Sequence, residues 1–283
     1  MPELPEIETV KLQLLQVIKG AKVQSCKVLN PKTVQGDVNL IVGQFVVDVR
    51  RKAKVLLVDF SKNLTAAFHF KMTGQLVYIT GNKRIVGGHP TEDFVGELPS
   101  KHTRLIIKFS KGDLYFNDQR LFGWVKVGLR SEIEKEKFLA KLGPEPFDIT
   151  TSEFIKRISK SKRSIKLVLM DQEIISGVGN IYANDALWEA KINPQIPSHK
   201  LKEKQLGILL EKIKLVLKEG IKYGGATAAD AKYIDLHGLG GHYQDHFRVY
   251  DRAGLKCLRN DGGIIKKFVL GGRGTYYCPE CQT

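Results

Sequence analysis

The stretch LMDQEIISGVGNIYANDALW, Leu169–Trp188, ends one helical pattern and begins another. Within GVGN, Gly177 and Gly179 permit a tight turn, and Asn180 can cap the helix that follows. A helix N-terminus offers free backbone N–H groups and the positive end of the helix dipole, which suits a phosphate. Upstream, residues 154–170 hold Lys156, Arg157, Lys160, Lys162, Arg163 and Lys166 with no acid among them. Such a run is either a solvated face or the flank of a phosphate-binding turn.

The chain around this turn reads as helical. Thr151 or Ser152 can cap a helix to about Ser161, a second covers roughly 164–173, a third starts near Asn180, and a fourth spans about 199–222. Residues 224–246 are Gly-rich and weakly patterned, so a loop is expected. Two short β-like runs fill 247–283. Before the helices, SEIEKEKFLAKL and GPEPFD at 131–150 mark a linker with a helix in it. Earlier still, from about Lys22 to Gly128, QFVVDVRR, KVLLVDF, LTAAFHF, QLVYI, TRLIIKF and LYFN are short β-branched or aromatic runs between turns. They predict a sandwich or barrel. Residues 5–19 read as a helix, with Pro5 at its first position, Gly20 as its stop, and Ile7, Val10, Leu14, Val17 and Ile18 on one face. There is no internal repeat.

At 283 residues the chain is long enough for two domains. Its 42% hydrophobic and 27% charged content excludes a disordered chain, and no apolar run approaches a membrane helix. MPELPEIETV lacks the basic-then-apolar order of a signal peptide, so no export is expected. Lys and Arg number 45 against 30 acids, a net +15. The surplus is shared, +7 over residues 1–150 and +8 over 151–283, which suits a polyanion held by two domains. Of four cysteines, Cys26 stands alone while Cys257, Cys278 and Cys281 cluster, which favours a metal site over disulfides.

Pro2 adds a chemical possibility. Removal of the initiator Met would expose a prolyl secondary amine. Such an amine can attack a sugar C1′, form an iminium, expel a base and acidify the adjacent C2′ hydrogen. An α-amine, with a reference pKa near 8, is unprotonated more often at neutral pH than a lysine. Glu3 beside it could carry protons.

PELPEIETV resembles the N-terminal signature of the formamidopyrimidine-DNA glycosylase family, which includes the endonuclease VIII-like enzymes. RRKAKVLL (50–57), FHFKMTGQL (68–76), NDQRLFGW (117–124), the 169–188 stretch and GGRGTYYCPECQ (271–282) match further family segments in family order. The resemblance implies an α+β protein. Its parts would be an N-terminal catalytic β-sandwich with flanking helices (1–130), a linker (131–150), a helix–two-turn–helix domain with a base-capping loop at 224–246 (151–246), and a zinc-finger-like β-hairpin (247–283). Pro2 would be the nucleophile, Glu3 the acid/base group, Glu6 its support, and Lys54 a catalytic residue that contacts the phosphate beside the lesion and aids proton transfer. Met72, Arg120 and Phe122 would fill the gap left by an extruded base. Leu121 departs from the family's second Arg. Asn180, Lys162, Arg163 and Arg273 would hold the backbone.

The terminal module departs from the family's two Cys-x2-Cys pairs. Cys278-x2-Cys281 is intact, but Asn260 stands where Cys257 should have its partner. A structural Zn2+ on Cys257, Cys278, Cys281 and Asp261 is one reading, His246 as fourth ligand is another, and a zincless hairpin is a third. The implied function is a monomeric glycosylase and lyase of base excision repair. It would excise oxidised purines from duplex DNA held in a cleft between two domains, would also act at abasic sites, and would work at the nucleoid in the cytoplasm. The alternatives are an endonuclease VIII-like enzyme for oxidised pyrimidines and a non-catalytic damaged-DNA binder.

Overall fold

The computed structural model describes residues 1–226 and 241–283, and its chain divides into two compact units. The first comprises Met1–Ala140 and Tyr223–Gln244, the second Lys141–Lys222 and Asp245–Thr283. The expected loop at 224–246 falls partly on residues 227–240, outside the described residues.

The first unit begins with α1, Leu4–Ile18. Leu4 takes the first helical position and Pro5 the second, where a missing N–H also costs nothing. Ile7, Val10, Leu14 and Ile18 are buried as their spacing predicts, and Val17 is half-buried. Ten strands follow: β1 Val23–Val28, β2 Val34–Gln35, β3 Val46–Lys52, β4 Val55–Phe60, β5 Leu64–His69, β6 Gly74–Thr80, β7 Lys83–Gly88, β8 Thr103–Phe109, β9 Gly112–Asp118 and β10 Trp124–Leu129. They form two five-stranded sheets in the orders β1-β8-β9-β6-β7 and β2-β10-β5-β4-β3. Leu76, Leu105, Ile107 and Phe116 of one sheet share a core with Leu56, Val58, Phe68 and Val125 of the other, so the sheets are a sandwich. α1 packs on β3 and β7, an edge strand from each sheet. Gly87 permits that approach, since a Cβ there would overlap Val10 Cγ2.

The segment read as a linker from 131 belongs to this unit as far as Ala140. Two short helices, α2 (Arg130–Lys135) and α3 (Lys137–Ala140), bury Ile133 and Leu139. Phe138 lies edge-on to His69 and Trp124, with ring centroids 5.1 and 5.9 Å away. Burial of Ile133 and Leu139 and the ring packing of half-buried Phe138 outweigh the linker-like charge of the sequence.

The second unit holds α4 (Thr151–Ile158), α5 (Ile165–Leu169), α6 (Asn180–Glu189) and α7 (Glu203–Lys222). Thr150, one residue before the expected caps, accepts from the Glu153 N–H at 3.2 Å. The antiparallel pair β11 (Lys266–Leu270) and β12 (Arg273–Tyr277) lies between Cys257 and Cys278. Among the described residues no helix is long and apolar enough to cross a membrane.

Candidate active site, nucleic-acid interface and metal centre

The first turn of α1 gathers three of the expected residues. Pro2, Glu3 and Glu6 are all buried. The Glu6 carboxylate reaches back and accepts the Glu3 N–H on Oε2 at 2.6 Å, which occupies a donor that a helix start leaves open. Its Oε1 accepts the Ala226 N–H at 2.8 Å, so Glu6 also holds the backbone just before residue 227. Lys54 follows the tight turn at Ala53, where φ is 51°, and is 5% exposed rather than solvated. Arg51 braces this turn, donating to Ala53 O at 3.0 Å and to Glu8 of α1 at 2.7 Å. Lys54 is thereby tied to the helix that carries Glu3. His69 stays neutral beside it. Burial, then the charges of Lys71 and Lys54, push its imidazole down to about 3, and its Nδ1 accepts the Lys71 N–H at 3.0 Å.

Met72, Arg120 and Phe122 sit on two loops, and a buried residue absent from the expected set joins those loops. Asp118, at the end of β9, is fully buried. Its Oδ1 accepts from the Thr73 hydroxyl and the Arg120 N–H, and its Oδ2 accepts the Gly123 N–H at 2.6 Å. Thr73, next to Met72, also accepts the Arg120 N–H at 3.1 Å. Arg120 lies over the Phe122 ring at 4.9 Å, and Phe122 is 54% exposed. Met72, on the other loop, is half-buried. Leu121 occupies the left-handed region at φ 59°.

In the second unit the GVGN turn forms, with Gly177 at φ 89°. The cap is Gly179, extended at φ −131°, and Asn180 is the first helical residue. This corrects the expectation that Asn180 caps α6. Glycine needs no side chain to leave the helix, so the role passes one residue back. Gln172 braces the turn, donating to Met170 O and Val178 O at 2.9 and 2.8 Å and accepting the Gly177 N–H at 3.0 Å. Lys162 and Arg163 are exposed, and Arg163 pairs with Asp171 at 2.7 Å, just beyond the acid-free window. Lys166 does not belong to that basic face. It is fully buried, and its ammonium donates to Gly274 O at 2.8 Å and Thr275 Oγ1 at 2.7 Å on β12. Arg273, exposed, begins that strand after the Gly271–Gly272 turn.

The donors of Cys257, Asp261, Cys278 and Cys281 all lie within 4.8 Å of one another. His246 is not in this group. Tetrahedral zinc with bonds of about 2.3 Å sets two thiolates about 3.8 Å apart; Cys257 and Cys281 are 3.9 Å apart. Asp261 oxygens lie 3.6 and 3.7 Å from Cys278 Sγ. The Gly263 N–H, at 2.9 Å, leads the contacts that hold the Asp261 carboxyl down at about 2, so it is an anion ready to ligate. Three thiolates and a carboxylate would leave a zinc site at −2. Arg259 offsets this, donating to Cys281 Sγ at 3.1 Å while stacked 3.6 Å over Trp188, whose indole N–H meets Cys257 Sγ at 3.4 Å. The residues therefore fit a structural zinc ion.

Comparison with known proteins covers the same ground from end to end. Residues 1–125 match the formamidopyrimidine-DNA glycosylase N-terminal domain, 142–232 the H2TH domain of the same enzymes, and 254–283 a zinc finger found in FPG and IleRS. A formamidopyrimidine-DNA glycosylase of Pelotomaculum thermopropionicum is 37% identical over 100% of this chain and 99% of its own length. One from Neisseria meningitidis is 35% identical over 100% of both. The Lactococcus lactis Fpg bound to DNA containing an abasic site superposes with a TM-score of 0.86 at 30% identity, covering 100% of both chains. The same enzyme with DNA containing an oxidised pyrimidine gives 0.85 at 31%, again covering 100% of both.

Proposed function

The chain belongs to the formamidopyrimidine-DNA glycosylase family, and from that membership we propose a Pro2-centred mechanism for its removal of oxidised bases. It is a DNA glycosylase and abasic-site lyase of base excision repair, its substrate duplex DNA with oxidised bases or abasic sites. It works as a monomer, at the nucleoid in the cytoplasm, and carries a structural zinc ion in its terminal hairpin.

With Met1 removed, the Pro2 nitrogen bonds to C1′ as the glycosidic C1′–N bond breaks, and the base leaves with a proton. Opening of the sugar at O4′ gives an iminium. Loss of the C2′ proton expels the 3′ phosphate, and loss of the C4′ proton then expels the 5′ phosphate. Glu3, buried beside Pro2, carries these protons. Glu6 holds the Glu3 backbone in place, and Lys54 neutralises the phosphate next to the lesion. Met72, Arg120 and Phe122 fill the space left by the extruded nucleotide, and Asn180, Lys162, Arg163 and Arg273 hold the backbone. Zinc, when bound, cross-links the base of the hairpin that presents Arg273.

The observation that carries this reading is the buried first turn of α1, where Glu6 fixes the main chain of Glu3 next to Pro2. Its test is borohydride trapping on duplexes containing 8-oxoguanine or thymine glycol. A covalent band is expected with the first, weakened in Pro2→Gly, whose primary amine replaces the prolyl nitrogen. Absence of any band on a properly processed N-terminus would leave only a damaged-DNA binder. A stronger band on thymine glycol would favour the oxidised-pyrimidine reading, which the L. lactis complex with such a lesion keeps in view.

A further inference from the structure

β12 is gripped at three successive residues by buried side chains of the helical part of its own unit. Lys166 of α5 takes Gly274 O and Thr275 Oγ1. Asn184 of α6 accepts the Tyr276 N–H on Oδ1 at 2.9 Å. The other end of the Asn184 amide donates to Asn180 O at 2.6 Å and faces Asn180 Oδ1 at 3.4 Å. Asn184 is fully buried, so each of these bonds replaces one to water and is costly to lose. Beside it Asp185, also fully buried, accepts the Val249 and Tyr250 N–H groups at 3.1 Å. Asp185 thus grips the chain leading into the hairpin and leaves Asn184 as the residue that spans two places.

Those two places are Asn180, the last residue of the GVGN turn, and the strand that opens with Arg273. We propose that Asn184 is a positioning residue. Through one buried amide it fixes the spacing and orientation of the Asn180 turn relative to the Arg273 strand, so that both meet the DNA backbone in register. The proposal rests on the reading of Asn180 and Arg273 as backbone contacts. Asn184 touches no DNA. A leucine here would fill the space but meet neither partner, whereas the amide, with a donor at one end and an acceptor at the other, satisfies both the Asn180 carbonyl and the Tyr276 N–H.

The test is a double-mutant cycle on affinity for a duplex with a tetrahydrofuran abasic analogue, using the zinc-loaded protein. Asn184→Ala should weaken binding about tenfold with single-turnover chemistry at saturating enzyme unchanged. In that background Arg273→Ala should cost about threefold or less, against about tenfold in the parent. Arg163→Ala, which does not touch this amide, should cost the same in both. Asn184→Asp keeps the acceptor for Tyr276 and loses the donor to Asn180. It should retain full sensitivity to Arg273→Ala and lose sensitivity to Asn180→Ala. Melting temperature and zinc content accompany each variant; if Asn184→Ala does not fold, the Asp variant alone decides. Multiplying losses for Arg273→Ala in the Ala background, or unchanged sensitivity to Asn180→Ala in the Asp background, would overturn the proposal. If Asn180→Ala and Arg273→Ala leave parental binding intact, the backbone-contact reading fails instead.

Discussion

Asp118 draws two loops of the first unit together with one carboxylate, whereas the second unit spreads the same task over Lys166, Asn184, Asp185 and a four-donor metal centre. The sandwich supplies a large continuous core against which the two loops need only that carboxylate and the bond from the Arg120 N–H to Thr73. The terminal hairpin has two short strands and little apolar cover, so its position has to be imposed by side chains from α5 and α6 and by a metal ion. Of the second unit's ties the metal centre is the one that closes the terminal segment from Cys257 to Cys281, so its loss costs most.

The largest expected effect tests the metal. Chelation, or Cys278→Ala, should cost the second unit several kcal/mol, on the scale of a structural zinc site, and lower one calorimetric transition while leaving the first unit's in place. A single transition that moves as a whole would break the contrast. Next, Asp118→Ala leaves the Thr73 hydroxyl and the Gly123 N–H without their acceptor, and the Arg120 N–H with Thr73 alone. A loss of about 3 kcal/mol in urea unfolding is expected, with weaker binding to lesion duplexes. A loss below about 1 kcal/mol would mean that the loops have other ties.

The smallest effect is a pH slope confined to the first unit. The His69 imidazole is held neutral down to about 3 in the folded chain, while in the unfolded chain it takes a proton near 6.5. The unfolded state therefore binds more protons between these values, and stability falls as pH drops from 6.5 toward 3. The expected loss is about 2 kcal/mol between pH 7 and pH 5. Urea midpoints across that range should lose this part of their slope in His69→Gln; an unchanged slope would place the titration elsewhere.

Much of the frame was legible beforehand because it depends on local pattern. The face of α1, the strand runs and the GVGN turn each follow from spacing within a few residues. Asp261 could be found by counting back from Cys278, since the hairpin length sets where a fourth donor must stand. What escaped depends on partners far along the chain. NDQRLFGW drew attention to Arg120 and Phe122, while the work of Asp118 shows only when Thr73 arrives from another hairpin. Lys166 reads like its solvated neighbours; the one signal was its place three residues before the buried Leu169, on the inward face of α5. The place of 131–140 in the first unit is hidden in the sequence, because the charges of SEIEKEK conceal Ile133, Phe138 and Leu139, which have a sheet to cover.

The chain has two tryptophans, and they fall one to each unit. Trp124 lies among His69, Phe138 and Lys126, and Trp188 lies against Cys257 under the Arg259 guanidinium. The molecule therefore carries two intrinsic fluorophores in unlike surroundings, one sensing ring stacking and the other sulfur. Replacing either indole by phenylalanine would leave an optical signal that follows a single half of the protein during titration or unfolding, with no dye attached.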